Sequence, residues 1–209
     1  PTNDVQVDLL KDETRLSGYM TASVADVLTV QGQLFMENRA NQAMVLSDGG
    51  VVRVDQWVLG GQALGASVNV GGASLSAELQ EMDLALVLST ERVTTGTARR
   101  WLSADARVGA VEVAGYALAD LSSARIEINR VLNANTGALE VNATQASAQM
   151  PVLDWSRSSA PDIAVSPAQT LSIDHADATF ALPIAGALDI GGARISGDFR
   201  MALDAVDGQ

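Results

Sequence analysis

The stretch that decides the fold is Ala124-Arg125-Ile126-Glu127-Ile128, in which apolar residues alternate one by one with charged ones. A period of two puts the two sets on opposite faces of a β-strand, one dry and one wet. The pattern spreads outward in both directions. Toward the N-terminus it recurs in Val5–Leu9, Leu28–Gln31, Val52–Asp55, Leu75–Gln80 and Met82–Leu84. Toward the C-terminus it recurs in Leu139–Thr144, Leu171–Asp174 and Arg194–Met201. Between these runs stand turn signals: Ser47-Asp48-Gly49-Gly50, Gly60-Gly61, Gly71-Gly72, Thr94-Thr95-Gly96, Asn133 to Gly137 and Gly191-Gly192. Asp-Gly and Asn-x-Gly tolerate the positive φ that tight turns demand. Helical spacing is scarce, and Val87 to Arg100 reads as a strand end followed by a polar loop because β-branched residues and a glycine interrupt it.

These features predict an all-β chain: an elongated module of antiparallel strands, either a flattened sandwich or a solenoid-like stack. Met150 to Gln169 carries Pro151, Pro161 and Pro167 among several serines. Proline removes a ladder donor, so this segment is expected to be a loop or an edge cover. Alternation resumes on both sides of it, which favours one continuous module over residues 1–209.

Composition narrows the function. The 209 residues are 47% hydrophobic and 18% charged, with 13 Lys+Arg against 25 Asp+Glu and a formal charge of −12. Lys11 is the only lysine, and the arginines are scattered. Nucleic acid needs clustered cations, and an anionic membrane surface would repel the chain. No apolar run approaches the roughly 20 residues of a spanning helix. Disorder is excluded by the apolar content. Zero cysteine removes thiol chemistry, thiolate metal sites and disulfides. Asp outnumbers Glu by 17 to 8, a balance that suits secreted or cell-surface bacterial proteins. The opening Pro1-Thr2-Asn3-Asp4, with neither Met nor a basic-then-apolar leader, is read as the start of a mature product or an excised segment.

No catalytic constellation stands out. His175 is the only histidine, and Asp174-His175-Ala176-Asp177 is expected at a solvated or hairpin position rather than around a metal. Glu78, Glu112, Glu127 and Glu140 sit at wet-face positions of strands, as solubility alone requires, without the aromatic platform that sugar chemistry would use. Gly60-Gly61-Gln62-Ala63-Leu64-Gly65 lacks the spacing of a phosphate cradle, and no serine lies in a Gly-x-Ser-x-Gly elbow. Asn142-Ala143-Thr144 matches a glycosylation acceptor but lies inside an alternating run. Trp57, Trp101 and Trp155 are expected to be packing or rim anchors more than a ligand surface. No catalytic or cofactor-binding residue is assigned and no enzyme activity is expected. Calcium stays open at the acidic turns around Asp48, Asp162 and Asp189, none of which has the ligand density of an EF-hand loop.

The two ends of the chain repeat one another. Leu28-Thr29-Val30-Gln31-Gly32-Gln33-Leu34-Phe35-Met36 places apolar pairs before and after a glycine, and Ala193-Arg194-Ile195-Ser196-Gly197-Asp198-Phe199-Arg200-Met201 does the same. Upstream, Leu16-Ser17-Gly18 matches Ile184-Ala185-Gly186, so an opening motif of about residues 16–37 restarts at about 184–204. The order of VADVLTVQGQLFME, VLSDGGVVRVDQWVLGG, LQEMDLALVLST, RRWLSADARVGAVEVAGYALADLSSARIEINR and GALDIGGARISGDFRMAL is similar to a repeat module of giant bacterial extracellular proteins of the RTX-adhesin type. The resemblance implies an extracellular or cell-surface stalk, matrix or fibre building block that associates with tandem neighbours or with itself. The Gly-Gly-x-Gly-x-Asp nonapeptide of RTX calcium repeats is absent, so calcium-driven folding is not implied. Two other readings are open: a lipid-handling β-groove of bacterial envelope transport, which needs an apolar inner face, and a carbohydrate-binding β-sandwich.

Overall fold

The computed structural model describes residues 6–10, 13–24, 28–69, 76–113, 116–137, 139, 150–158, 162–190 and 193–202, with side chains placed within 15–23, 29–67, 80–110, 124–137, 150–158 and 162–181. The fold is all-β and antiparallel. Its strands are β1 (Gln6–Leu10), β2 (Glu13–Val24), β3 (Leu28–Val45), β4 (Val51–Asn69), β5 (Ser76–Glu91), β6 (Arg100–Arg107), β7 (Ala110–Val113), β8 (Tyr116–Leu132), β9 (Ile163–Ser166), β10 (Gln169–Leu171), β11 (Thr179–Ile190) and β12 (Ala193–Ala202). Ten of them form one sheet in nearly sequential order, β1-β2-β3-β4-β5-β6-β8-β11-β12, while β7 lies between β5 and β8 in line with β6. The main departure from a meander is the excursion between β8 and β11, which contains a second, two-stranded sheet of β9 and β10. At about 3.3 Å per residue, the 19 residues of β4 reach up to about 60 Å.

Alternation sorts the side chains of the large sheet into two chemistries. One register row runs Met36, Leu59, Leu86, Ala104, Ile128 and Phe180, and the row beside it Leu34, Gly61, Leu84, Ala106 and Ile126. This inner face is almost wholly apolar. The intervening positions Val58, Val87, Ser103 and Asn129, then Gln56, Ser89, Trp101 and Val131, form an outer face that mixes apolar and polar groups.

A single sheet buries both faces only if something lies on each. On the inner side the sheet lies against itself. Ala22 and Ser23, at the tip of the β2–β3 hairpin, line the same cavity as Leu132, Thr136 and Gly137 at the end of β8, although these groups are strands apart in the ladder. The bend follows a diagonal line of irregularities. Gly32 in β3, Ala63 in β4 and Glu81 in β5 have φ of 151°, 52° and 53°, and β6 gives way to β7 at Val108-Gly109 on the next strand. Ladder register shifts at the β3 and β4 positions. Bulges with a left-handed residue add a residue to one strand and sharpen its local bend, so neighbouring bulges make a crease. Asp83 Oδ1 accepts the Ala63 N–H at 3.2 Å, and Asp55 Oδ1 accepts the N–H of a further left-handed residue, Asn41, at 2.8 Å. The result is a doubled core in which Leu34, Leu64, Met82 and Leu84 are fully buried. Each such leucine contributes about 1.5–3 kcal/mol.

The excursion covers the outer face. Val152, Leu153, Trp155, Ile163, Val165, Leu171 and Ile173 pack on Val58, Ala85, Val87, Trp101 and Val131. A buried polar chain fixes this cover: Trp155 Nε1–H donates to Ser103 Oγ at 2.8 Å, and Ser103 donates to Asn129 Oδ1 at 2.9 Å. Asn129 Nδ2 in turn donates to the carbonyls of Leu153 and Asp177 at 2.8 and 3.1 Å. Trp101 Nε1–H reaches Pro151 O at 3.0 Å. Satisfied on every side, such a network specifies one docking position for the cover.

Several sequence expectations are refined. The Pro/Ser-rich segment covers a face rather than an edge and carries β9. Gly60-Gly61 is no turn: it lies in the middle of β4, where a Cβ on Gly60 would stand 1.9 Å from Ala164 O, so the close approach of β9 requires glycine there. Leu171–Asp174 keeps alternate burial, but the strand ends at Leu171. The Gly71-Gly72 and Gly191-Gly192 signals, and all but Leu139 of the Leu139–Thr144 run, lie outside the described residues. Both copies of the repeated motif fall in hairpins, β2–β3 and β11–β12, but with different glycine pairing: Gly32 stands opposite Met20, whereas Gly197 stands opposite Gly186.

Candidate functional site

At one end the inner face opens. Trp57 stands opposite Leu88, Leu88 opposite Leu102, Leu102 opposite Arg130, and Arg100 opposite Leu132. Here lies a cavity of about 430 Å³ whose floor is Met36, Leu59, Leu86, Leu88 and Leu132, with the Ala22-Ser23 hairpin tip on the other side. Its volume falls in the roughly 300–1,000 Å³ range of small-molecule pockets. Trp57 is 46% exposed and Arg100 half-buried at the rim. The loop after β8 leaves room for the guanidinium: a Cβ on Gly137, whose φ is +72°, would stand 2.7 Å from Arg100 Nη2.

The arginines with described side chains divide by partner. Arg99 makes a two-pronged pair with Glu91 at 2.7 and 2.8 Å, Arg39 holds Glu37 at 2.6 Å and Arg92 holds Asp55 at 3.3 Å. Arg125 pairs with buried Asp105, and Arg157 with buried Asp154. The Arg99 fork holds the Glu91 carboxyl below its ordinary pKa, and hydrogen bonds from Ser156, then Arg157, do the same for Asp154. Four arginines with described side chains have no carboxylate partner among the described residues: Arg53 and Arg107, which are exposed, and Arg100 and Arg130, which are half-buried. Arg130 Nε is buried with no acceptor, and desolvation pushes its pKa down. The carboxylate in the row of Arg100 is Asp55, already engaged by Arg92 and the Asn41 N–H.

A second cavity, about 420 Å³, lies between the β2–β3 edge and β9. Among its charged groups, Glu37 accepts from Arg39 and lies 3.6 Å from Arg15, and Asp162 accepts from the Ser172 hydroxyl.

The residues singled out in the sequence do not converge. Trp101 and Trp155 are buried in the outer layer, while Trp57 alone reaches solvent, on the other face. His175 is not in a hairpin but in the strap over the outer face, half-buried with Nε2 3.2 Å from Ala104 O; the Asp177 carbonyl is taken by Asn129. Glu127 pairs with Arg125 at 3.7 Å. Glu78 and Glu112 are register partners whose side chains lie outside the described residues, as do Glu140 and Asn142-Ala143-Thr144. Asp48 caps its own turn through Gly50 N–H at 2.9 Å, Asp162 accepts from Ser172 at 3.1 Å, and the Asp189 side chain is outside the described set. Among the described residues no three His, Cys, Asp or Glu side chains gather around a common point. None of the described helices, there being none, could cross a membrane. Sequence reasoning missed the cavity because the arginines read only as scattered; the available signal was that Arg130 follows the inward Ile126 and Ile128 at a spacing of two.

No family model, curated protein or solved structure matches the chain.

Proposed function

We propose that this chain is a lipid-handling β-groove of the bacterial envelope, a rolled sheet whose inner face takes up a hydrocarbon chain at its open end. The observation that carries the reading is the cavity itself: an apolar floor continuous with the inner-face rows, with Trp57 exposed at its edge. An apolar pocket with a few convergent polar groups is the usual form of a small-molecule site. The test is organic extraction and native mass spectrometry of the folded protein, followed by loading with a fluorescent acyl probe. One hydrocarbon ligand per chain is expected, with uptake abolished by Leu88→Glu at the cavity floor. Folded protein that neither carries nor takes up such a ligand would sink the reading.

A second reading, a stalk, matrix or fibre module of an extracellular or surface protein, is favoured by the sheet edges. Among the described strands, β1 and β12 each have one neighbour, and an edge strand is a template for another. Concentration-dependent assembly of the purified chain would support this reading. The carbohydrate reading gains nothing, since two of its three tryptophans are buried.

A further inference from the structure

We propose that the cavity selects an amphiphile with an anionic headgroup, held by Arg100 and Arg130 while its acyl chain lies along Leu88, Leu86 and Met36. This rests on the lipid-groove reading and adds the headgroup chemistry. Arg100 lines the cavity, and Arg130, which is not one of its lining residues, is the diagonal neighbour of Arg100 across β6 and β8 on the same face; such diagonal neighbours stand about 7–8 Å apart, a span that one phosphate or carboxylate can bridge. Charge complementarity supplies the argument for the occupant. A partly desolvated guanidinium without a counter-ion carries an electrostatic cost, yet this chain, with 25 acidic residues, places no carboxylate on it among those described. The other described arginines without a carboxylate, Arg53 and Arg107, are exposed to water, whereas Arg100 and Arg130 are half-buried. An anion entering there relieves the cost, and a neutral headgroup does not. With a net charge of −12, the protein as a whole repels anions, so any preference for one must come from a local site.

The test compares dodecyl phosphate, dodecanol and inorganic phosphate, each below micelle-forming concentration, by calorimetry on the intact chain. Wild-type protein is expected to bind dodecyl phosphate at least about tenfold more tightly than dodecanol, a difference of about 1.4 kcal/mol, and inorganic phosphate far more weakly. Arg100→Met and Arg130→Met should each shrink that preference, lowering the affinity for dodecyl phosphate more than that for dodecanol. Because Arg100 is at the rim, its variant is expected to fold even where Arg130→Met does not. Equal binding of both dodecyl compounds by wild type overturns the headgroup assignment and leaves the groove. Binding of neither overturns the groove. Phosphate bound as tightly as dodecyl phosphate would make this a free-anion site and overturn the amphiphile.

Discussion

The two faces of the one large sheet solve the same burial problem in different ways. The outer face is closed by a foreign segment whose position is dictated by hydrogen bonds from Trp155, Ser103 and Asn129. The inner face is closed by the sheet folding over, with apolar rows and no polar clamp. Directional bonds specify one partner, whereas apolar contact is non-directional and accepts any hydrocarbon of suitable shape. The difference teaches that specificity was placed where the cover must be permanent, and tolerance where a guest can be admitted.

The contrast can be broken most strongly at Trp155. Trp155→Ala should cost about 3–5 kcal/mol, as large aromatic truncations do, read as a fall in the urea midpoint together with faster proteolysis of 150–177. A loss under about 1 kcal/mol would mean that the cover contributes little. Asn129→Ala is the next probe: it leaves Ser103 Oγ–H and the Leu153 and Asp177 carbonyls without their partner, at about 1–3 kcal/mol. An acyl ligand should raise the midpoint of this variant as much as that of wild type, since the cavity is on the opposite face. Unequal rises would show that the faces are coupled.

Acid gives the smallest and most local effect. Glu91 and Asp154 have folded pKa values below their unfolded ones, so the unfolded chain binds more protons as pH drops through that interval. Their contribution is therefore complete above the ordinary carboxylate range of about 4 and is lost as pH falls through the lower, folded values. Hydrogen exchange at pH 3 compared with pH 6 should show the Asp154–Ser158 turn opening ahead of the inner rows. Simultaneous opening would remove the distinction between the two faces.

Much of this was legible from residue order. The alternation at Ala124–Ile128 gives the strand and its faces, and Ser47–Gly50 and Asn133–Gly137 give turns where turns occur. The fold-over was not legible, because Ala63 and Glu81 carry no signal for positive φ as Gly or Asn would. Gly60-Gly61 misled in the opposite sense: glycine was needed for close approach, which composition cannot distinguish from a bend. The mouth escaped notice because the absence of a counter-ion around Arg100 and Arg130 is a property of three-dimensional neighbours and not of spacing.

The crease has one further consequence. Because Ala63 and Glu81 each supply an extra residue within their strands, the bend there is encoded in the count of residues rather than in their kind. Deleting Ala63 alone would transpose the parity of β4 beyond that point, turning outward what had faced inward. A substitution along these strands changes one side chain and leaves the others on their faces, but a single codon lost or gained at the fold line would invert the lining of the strand beyond it.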